Sequence, residues 1–189
     1  MSIYRIEKVS QRPEFCLVEG DGTVQTYELT LGKPLLRGPE DFRDAQLSLS
    51  EDEFGLELTD LLGSTNQLLL LEAKVYEALA ERLRLDPIET HRFRLLNARG
   101  RVHSDDYLIV NPLQPQPCLS MQHSDLLIDE DDGEILRVRT RVLEAAKLPP
   151  RDLFRVAEDP MEHLVTQHFV DVVTDAGYTN FTFERVAVV

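Results

Sequence analysis

Apolar and polar residues alternate along much of this chain, and in only two stretches does the period lengthen to that of a helix. The segment FCLVEGDGTVQTYELTL, residues 15–31, predicts a strand, a Gly-Asp-Gly turn and a second strand. Residues 32–55 hold Gly32, Pro34, Gly38, Pro39 and the acidic run EDEF, a composition that predicts loop. In LELTDLLGSTNQLLLLEAKVYEALAERLRLD a short apolar run gives way to a stripe of Val75, Tyr76, Leu79 and Leu83. That spacing predicts an amphipathic helix, ended by Pro87. HRFRLL and DYLIV then predict strands on either side of a loop carrying Arg99, Gly100 and Arg101.

NPLQPQPCL, with Pro112, Pro115 and Pro117, excludes helix and central strand and predicts an extended connector. Next comes DLLIDEDDGEILRVR, residues 125–139. Asp132-Gly133 between two apolar runs signals a hairpin, because glycine reaches the positive φ that such a turn needs. In the outgoing strand Leu136, Val138, Thr140 and Val142 alternate with Arg137, Arg139 and Arg141, which predicts one buried and one cationic face. DLFRV predicts another strand, and EHLV a short apolar segment. Thr166 is placed to cap a helix whose Phe169, Val172, Val173 and Ala176 share a face, and Gly177 is placed to close it. NFTFERVAV predicts a last strand, with Phe181 and Phe183 on one side.

Two regions share an order: LLLL, a helix and HRFRLL; then HLV, a helix and NFTFERV. The expected class is therefore α+β, a mixed or antiparallel sheet with a few packed amphipathic helices, built as two similar β-helix-β units. A chain of 189 residues predicts one domain, with 1–59 as an N-terminal strand and loop lobe and 60–189 as the α+β part.

Charge narrows the partners. A net charge of −14 repels phosphate backbones and anionic lipid, so neither nucleic acid nor a membrane is expected, whereas a basic protein would be attracted. The basic run HRFRLLNARGR, with Arg92, Arg94, Arg99 and Arg101, is expected to pair with the chain's own carboxylates or to sit in water. Cys16 and Cys118 have no metal-ligand spacing and form no disulfide framework, which suits a reducing compartment. MSIYRIEKVSQRPEF has no apolar run, and the longest such run, LLLL at 68–71, is too short to span a membrane. A cytoplasmic location is the expectation.

Candidate chemistry is sparse. Around Gly133 the acids do not fit a calcium loop: counting back puts Ile128 at the first ligand position, and Ile128 cannot ligate. His163 and His168 do not share a helical face, and MEHLVTQH lacks the order of a zinc-protease helix. HSDD at 103–106 and HSDL at 123–126 hold the residue types of a serine triad, but adjacent residues cannot converge on one atom and suit turns better. No phosphate-binding loop or nucleophile elbow is present. The expectation is no catalytic residue, no metal and no cofactor. A hydrolase built on His103, Asp105, Asp106 and His123 is one alternative, and a scaffold of a secretion system is another. The candidate binding residues are Asp129, Glu130, Asp131 and Asp132 at the hairpin tip, with Glu51, Asp52 and Glu53 in the acidic loop.

The C-terminal part also carries a resemblance. Tyr107 to Asn111 form an aromatic-led strand ending in Asn, and Cys118 to Ser124 lead to a serine. Lys147-Leu148-Pro149 precedes the Phe154-Arg155 strand, and Ala176-Gly177-Tyr178 runs on through Phe183. In that order these pieces resemble the Myxococcus-type bacterial immunity proteins, over roughly residues 60–189. The resemblance implies a non-enzymatic protein that binds and neutralises a cognate polymorphic toxin, one with a basic surface.

Overall fold

The helix Gln167–Ala176 starts and stops on local signals. Thr166 caps it, its hydroxyl accepting the Phe169 N–H at 3.4 Å, and Gly177 closes it at φ 71°. Phe169, Val172 and Val173 are buried on one face. The structure is a computed structural model and describes residues 1–9, 12–20, 26–35, 45–50 and 55–189. Among these residues no helix is long and apolar enough to cross a membrane.

In chain order the elements begin with β1 (Ile3–Ile6), β2 (Leu17–Gly20), α1 (Thr26–Thr30), β3 (Gln46–Leu49), β4 (Leu61–Ser64) and β5 (Leu69–Glu72). Then come α2 (Ala73–Arg82), β6 (Ile88–Arg92), β7 (Arg94–Leu96), β8 (Val102–Ser104) and β9 (Tyr107–Pro112). They end with β10 (Asp125–Ile128), β11 (Ile135–Thr140), β12 (Val142–Leu143), β13 (Leu153–Val156), β14 (Asp159–Thr166), α3 (Gln167–Ala176) and β15 (Phe183–Val188).

A five-stranded sheet runs in the order β12-β15-β1-β14-β13, with β1 antiparallel to both neighbours. An eight-stranded sheet runs β6-β9-β5-β4-β2-β3-β7-β8, with β9 antiparallel to both β5 and β6. β6 and β7 are consecutive, joined through the buried Phe93 alone, yet they stand at or beside opposite ends of that order. The larger sheet must therefore curl round, and it encloses a core that includes Val18, Leu47, Leu62, Leu70, Phe93 and Ile109. On its outside Leu61, Leu69, Leu71 and Val110 pack with Val75 and Leu79 of α2, Phe169 of α3, and Ile6, Leu153 and Val165 of the smaller sheet. Phe154 and Leu164 point the other way, into a third cluster with Ile3, Cys118, Leu143 and Val186. Both faces of the five-stranded sheet are thus buried, and its strands alternate between two cores.

The α+β class holds, but several elements differ from the sequence expectation. Residues 26–30 are a short helix where a second strand is predicted. A helix buries the adjacent Leu29 and Thr30 while leaving Tyr27 exposed, and a partner far along the chain takes up its last carbonyls. β3 lies in the stretch predicted to be loop. Its Leu47 and Leu49 alternate inward, a four-residue pattern masked by the glycines and prolines before it. HRFRLL is two strands, broken where Phe93 turns into the seam of the curled sheet. Asn111 and Pro112 of the predicted connector finish β9, a central strand, with Pro112 at its last position.

Candidate functional site

β10 and β11 form a two-stranded sheet of their own. The hairpin is as the Asp132-Gly133 pair predicts, but its loop is wider than two residues. The Asp129 N–H donates to the Glu134 carbonyl at 2.8 Å, and the Gly133 N–H, at φ 76°, donates to the Asp129 carbonyl at 3.0 Å. Two tip carboxylates brace the turn: Asp129 accepts from the Asp131 N–H and Asp132 from the Glu134 N–H, at 2.8 and 2.9 Å. Glu130 and Asp131 are exposed, and their side chains have no hydrogen bond or ion pair among the described residues.

The predicted buried face of β11 does not exist. Leu136 is 59% exposed, Thr140 is exposed and Val138 is half-buried. The physical reason is that among the described residues no layer lies over the ribbon, and two register shifts add to its twist. Leu126, Ile135 and Val138 root it against the third core, while Leu127, Ile128 and Leu136 face water. Val142 is buried, as predicted, but in the five-stranded sheet, which the chain enters after Arg141.

Between this arm and the body lies a groove of about 640 Å³. One wall is β11 from Ile135 to Arg139. The other holds Arg5, Tyr27, Thr30 and residues 158–162. Arg141 is paired with Asp159, and Arg5 lies 2.6 Å from Glu7 and from Glu184. Arg137 and Arg139 are exposed and have no ion-pair partner among the described residues, although the chain carries 34 acidic side chains against 20 lysines and arginines.

Behind the groove floor sits a buried cationic junction that sequence reasoning missed. Arg155 is 1% exposed, and its guanidinium donates to the Thr30 and Leu29 carbonyls at 3.0 and 2.9 Å and to the Pro160 carbonyl. Gly32, at φ 62°, makes room: a Cβ there would lie 2.8 Å from the Arg155 Cδ. Lys8 is buried beside it, donating to the Met161 carbonyl at 2.6 Å and to Gln67 Oε1 at 2.9 Å, with Glu162 at 3.7 Å. Burial lowers Lys8 to about 8 and Arg155 to about 9. His163 is fully buried, and among the described residues neither ring nitrogen has a hydrogen-bond partner; desolvation, then Arg155 and Lys8, hold it well below its usual value. The available signal was a charged residue inside an apolar strand pattern, in LFRV and in EHLV.

The alternative chemistry is dispersed. His103 lies in β8, at the edge of the eight-stranded sheet, and Asp105 and Asp106 follow it in a turn where Ser104 bonds Asp106. His123 lies in a turn leading to the arm, with Nδ1 3.0 Å from Ser120 Oγ. The sequence expects turns at both HSD stretches; in the structure His103 and Ser104 end strand β8, while His123 and Ser124 lie in the turn before Asp125 opens β10. Burial pushes the Cys16 and Cys118 thiols up to about 11, which keeps them protonated and unreactive. Among the described residues no three His, Cys, Asp or Glu side chains are grouped as metal ligands would be. Asp129 to Asp132 lie together at the arm tip; Glu51, Asp52 and Glu53 lie outside the described residues. No protein-family model matches the chain, and no curated protein sequence matches it significantly.

Proposed function

We propose that this chain is a non-catalytic immunity protein of the cytoplasm that binds and neutralises a cognate toxin with a basic surface. The observation that carries this is the arm tip. Glu130 and Asp131 are exposed and unpaired among the described residues, at the tip of a two-stranded ribbon that forms a sheet of its own. Charge arranged so speeds encounter with a cationic partner and orients it. A nuclease toxin, whose cleft binds phosphates, would present such a surface. The order of pieces over residues 60–189 resembles immunity proteins and supports the same role.

We further infer that the fold is built from two similar β-helix-β units. In one, β5 and β6 flank β9 and are linked through α2; in the other, β14 and β15 flank β1 and are linked through α3. Each first strand also has an antiparallel hairpin partner, β4 for β5 and β13 for β14.

The test is growth of a host expressing the toxin-like reading frame encoded next to this gene, with and without this protein. Rescue with co-purification is expected. Reversing Asp131 and Asp132 to lysine should weaken the complex and flatten its salt dependence. Toxicity that this protein does not change, with nothing co-purifying, would overturn the assignment.

A further inference from the structure

Two runs of five residues border the groove beneath the arm, Ile135 to Arg139 on one side and Glu158 to Glu162 on the other. Five residues of strand reach about 13 Å from first to last. A volume of about 640 Å³ spread over that length has a cross-section on the order of 50 Å². One strand in a packed sheet occupies about that much, ~4.8 Å by ~10 Å. A helix, roughly 10–12 Å across with its side chains, needs about twice as much. The shape of the groove selects an extended ligand.

Its walls also select a charge. On the body side Asp159 is paired with Arg141, and Glu162 lies 3.5 Å from Arg5 and 3.7 Å from Lys8. Glu158 remains, half-buried, with one carboxylate oxygen out of water. On the arm side both Arg137 and Arg139 are exposed and unanswered among the described residues. Free charge in the groove is therefore positive, on a chain whose net charge is −14. Screening over about 8 Å in physiological salt leaves these two local cations, rather than distant acids, to set what enters. Apolar surface borders the same space: Tyr27 is 71% exposed, Leu136 59% and Met161 49%. Large apolar side chains gathered at one groove beside unpaired guanidiniums have the composition of a recognition site.

We propose that this groove binds an extended segment of a partner protein in which carboxylates alternate with apolar side chains. Arg137 and Arg139 stand two residues apart, and alternate carboxylates of an extended chain repeat at the same interval of about 7 Å. Two acids therefore meet two guanidiniums in charge-assisted hydrogen bonds. The apolar side chains between them cover Leu136, Tyr27 and Met161. The site is distinct from the acidic tip, which attracts cations, and gives the arm a second surface of the opposite preference. It goes beyond the toxin reading and does not rest on it.

The experiment is fluorescence anisotropy of labelled, capped hexapeptides with the purified full chain in physiological salt. The peptides alternate glutamate with valine, leucine or tyrosine, and a matched set carries glutamine in place of glutamate. At least one glutamate peptide should bind saturably below millimolar concentration, on the order of tenfold tighter than its glutamine counterpart. Arg137→Gln/Arg139→Gln alters two exposed side chains and spares the fold. It should weaken the glutamate peptide on the order of tenfold and leave the glutamine peptide nearly unchanged, so that the preference disappears. Met161→Glu, from the opposite wall, should weaken the glutamate peptide as well. The proposal falls if no glutamate peptide binds, if the two sets bind alike, or if the arginine variant keeps the preference. Binding of an oligothymidylate in place of the peptides would give the arginines to phosphates and overturn it too. So would a dimer of the chain that the peptides disperse, since the groove would then belong to a second copy. Rescue from a toxin reads a different surface, and this test stands whichever way that one ends.

Discussion

Arg155, Lys8 and His163 meet the cost of burial in different ways. Arg155 satisfies three backbone carbonyls with its planar fork, two of them at the end of α1, where helix carbonyls lack internal partners. Lys8 has two hydrogen bonds and a nearby carboxylate. His163 has no hydrogen-bond partner for either nitrogen among the described residues and remains neutral beside the two cations. In the unfolded chain it protonates near 6.5, the ordinary value for histidine. Its folded value is depressed, so below about pH 6.5 the unfolded state binds the extra proton and the fold loses stability as pH falls, at up to about 1.4 kcal/mol per unit. Above that pH both states are neutral and the histidine adds no pH dependence. His163→Leu, an apolar side chain of similar size, is expected to be at least as stable at pH 7 and to lose the decline between pH 6.5 and 5. Urea titrations at pH 5, 6 and 7 measure this, and an unaltered slope would assign the acid sensitivity elsewhere.

At the scale of elements, the joints are made by single carboxylates. Asp152 is buried just before β13. One of its oxygens accepts the Thr166 hydroxyl at 2.7 Å and the other the Arg84 N–H at 2.9 Å, so it ties the exit of α2 to the cap of α3. Burial pushes its carboxyl up, but the bonds from Arg84 and Thr166 outweigh that and hold it below the usual range. Thr166→Ala should cost about 1 kcal/mol, the usual loss of a cap. Asp152→Ala removes an ionised acceptor and strands the buried Thr166 hydroxyl and the part-buried Arg84 N–H, and should cost on the order of 3 kcal/mol. Chemical denaturation of both variants gives the comparison; equal costs would reduce Asp152 to a filler of space. Of this joint only the cap was legible, because Thr166 and Gly177 act on residues within one helix, whereas Asp152 acts on segments 68 and 14 residues away.

For the molecule as a whole, one core is shared by both sheets and both long helices, and the expectation is that they unfold together. The arm is an appendage to it. Replacing residues 128–135 by an Asn-Gly turn should leave a single thermal transition, its midpoint lower by no more than about 4 °C, equivalent to ~1 kcal/mol in a chain of this size. Circular dichroism in the far and near ultraviolet should report the same midpoint. Separate transitions would show that the arm clamps the two sheets together.

The chain's own pattern determined whatever depends on near neighbours: two amphipathic helices, the cap and stop of the second, the hairpin at Asp132-Gly133, the α+β class and the acidic tip; the first helix ends at Arg82, ahead of the stop expected at Pro87. These follow from side-chain period, capping and turn chemistry, which act over a few residues. Tertiary structure alone decided the rest. It broke HRFRLL at Phe93 because the curled sheet needs a seam there, and it turned Thr26–Thr30 into a helix ended by Arg155. It also left Leu136 in water, although its alternation reads as buried. Period two states which residues share a face of a strand; whether another layer covers that face is set by segments distant in sequence.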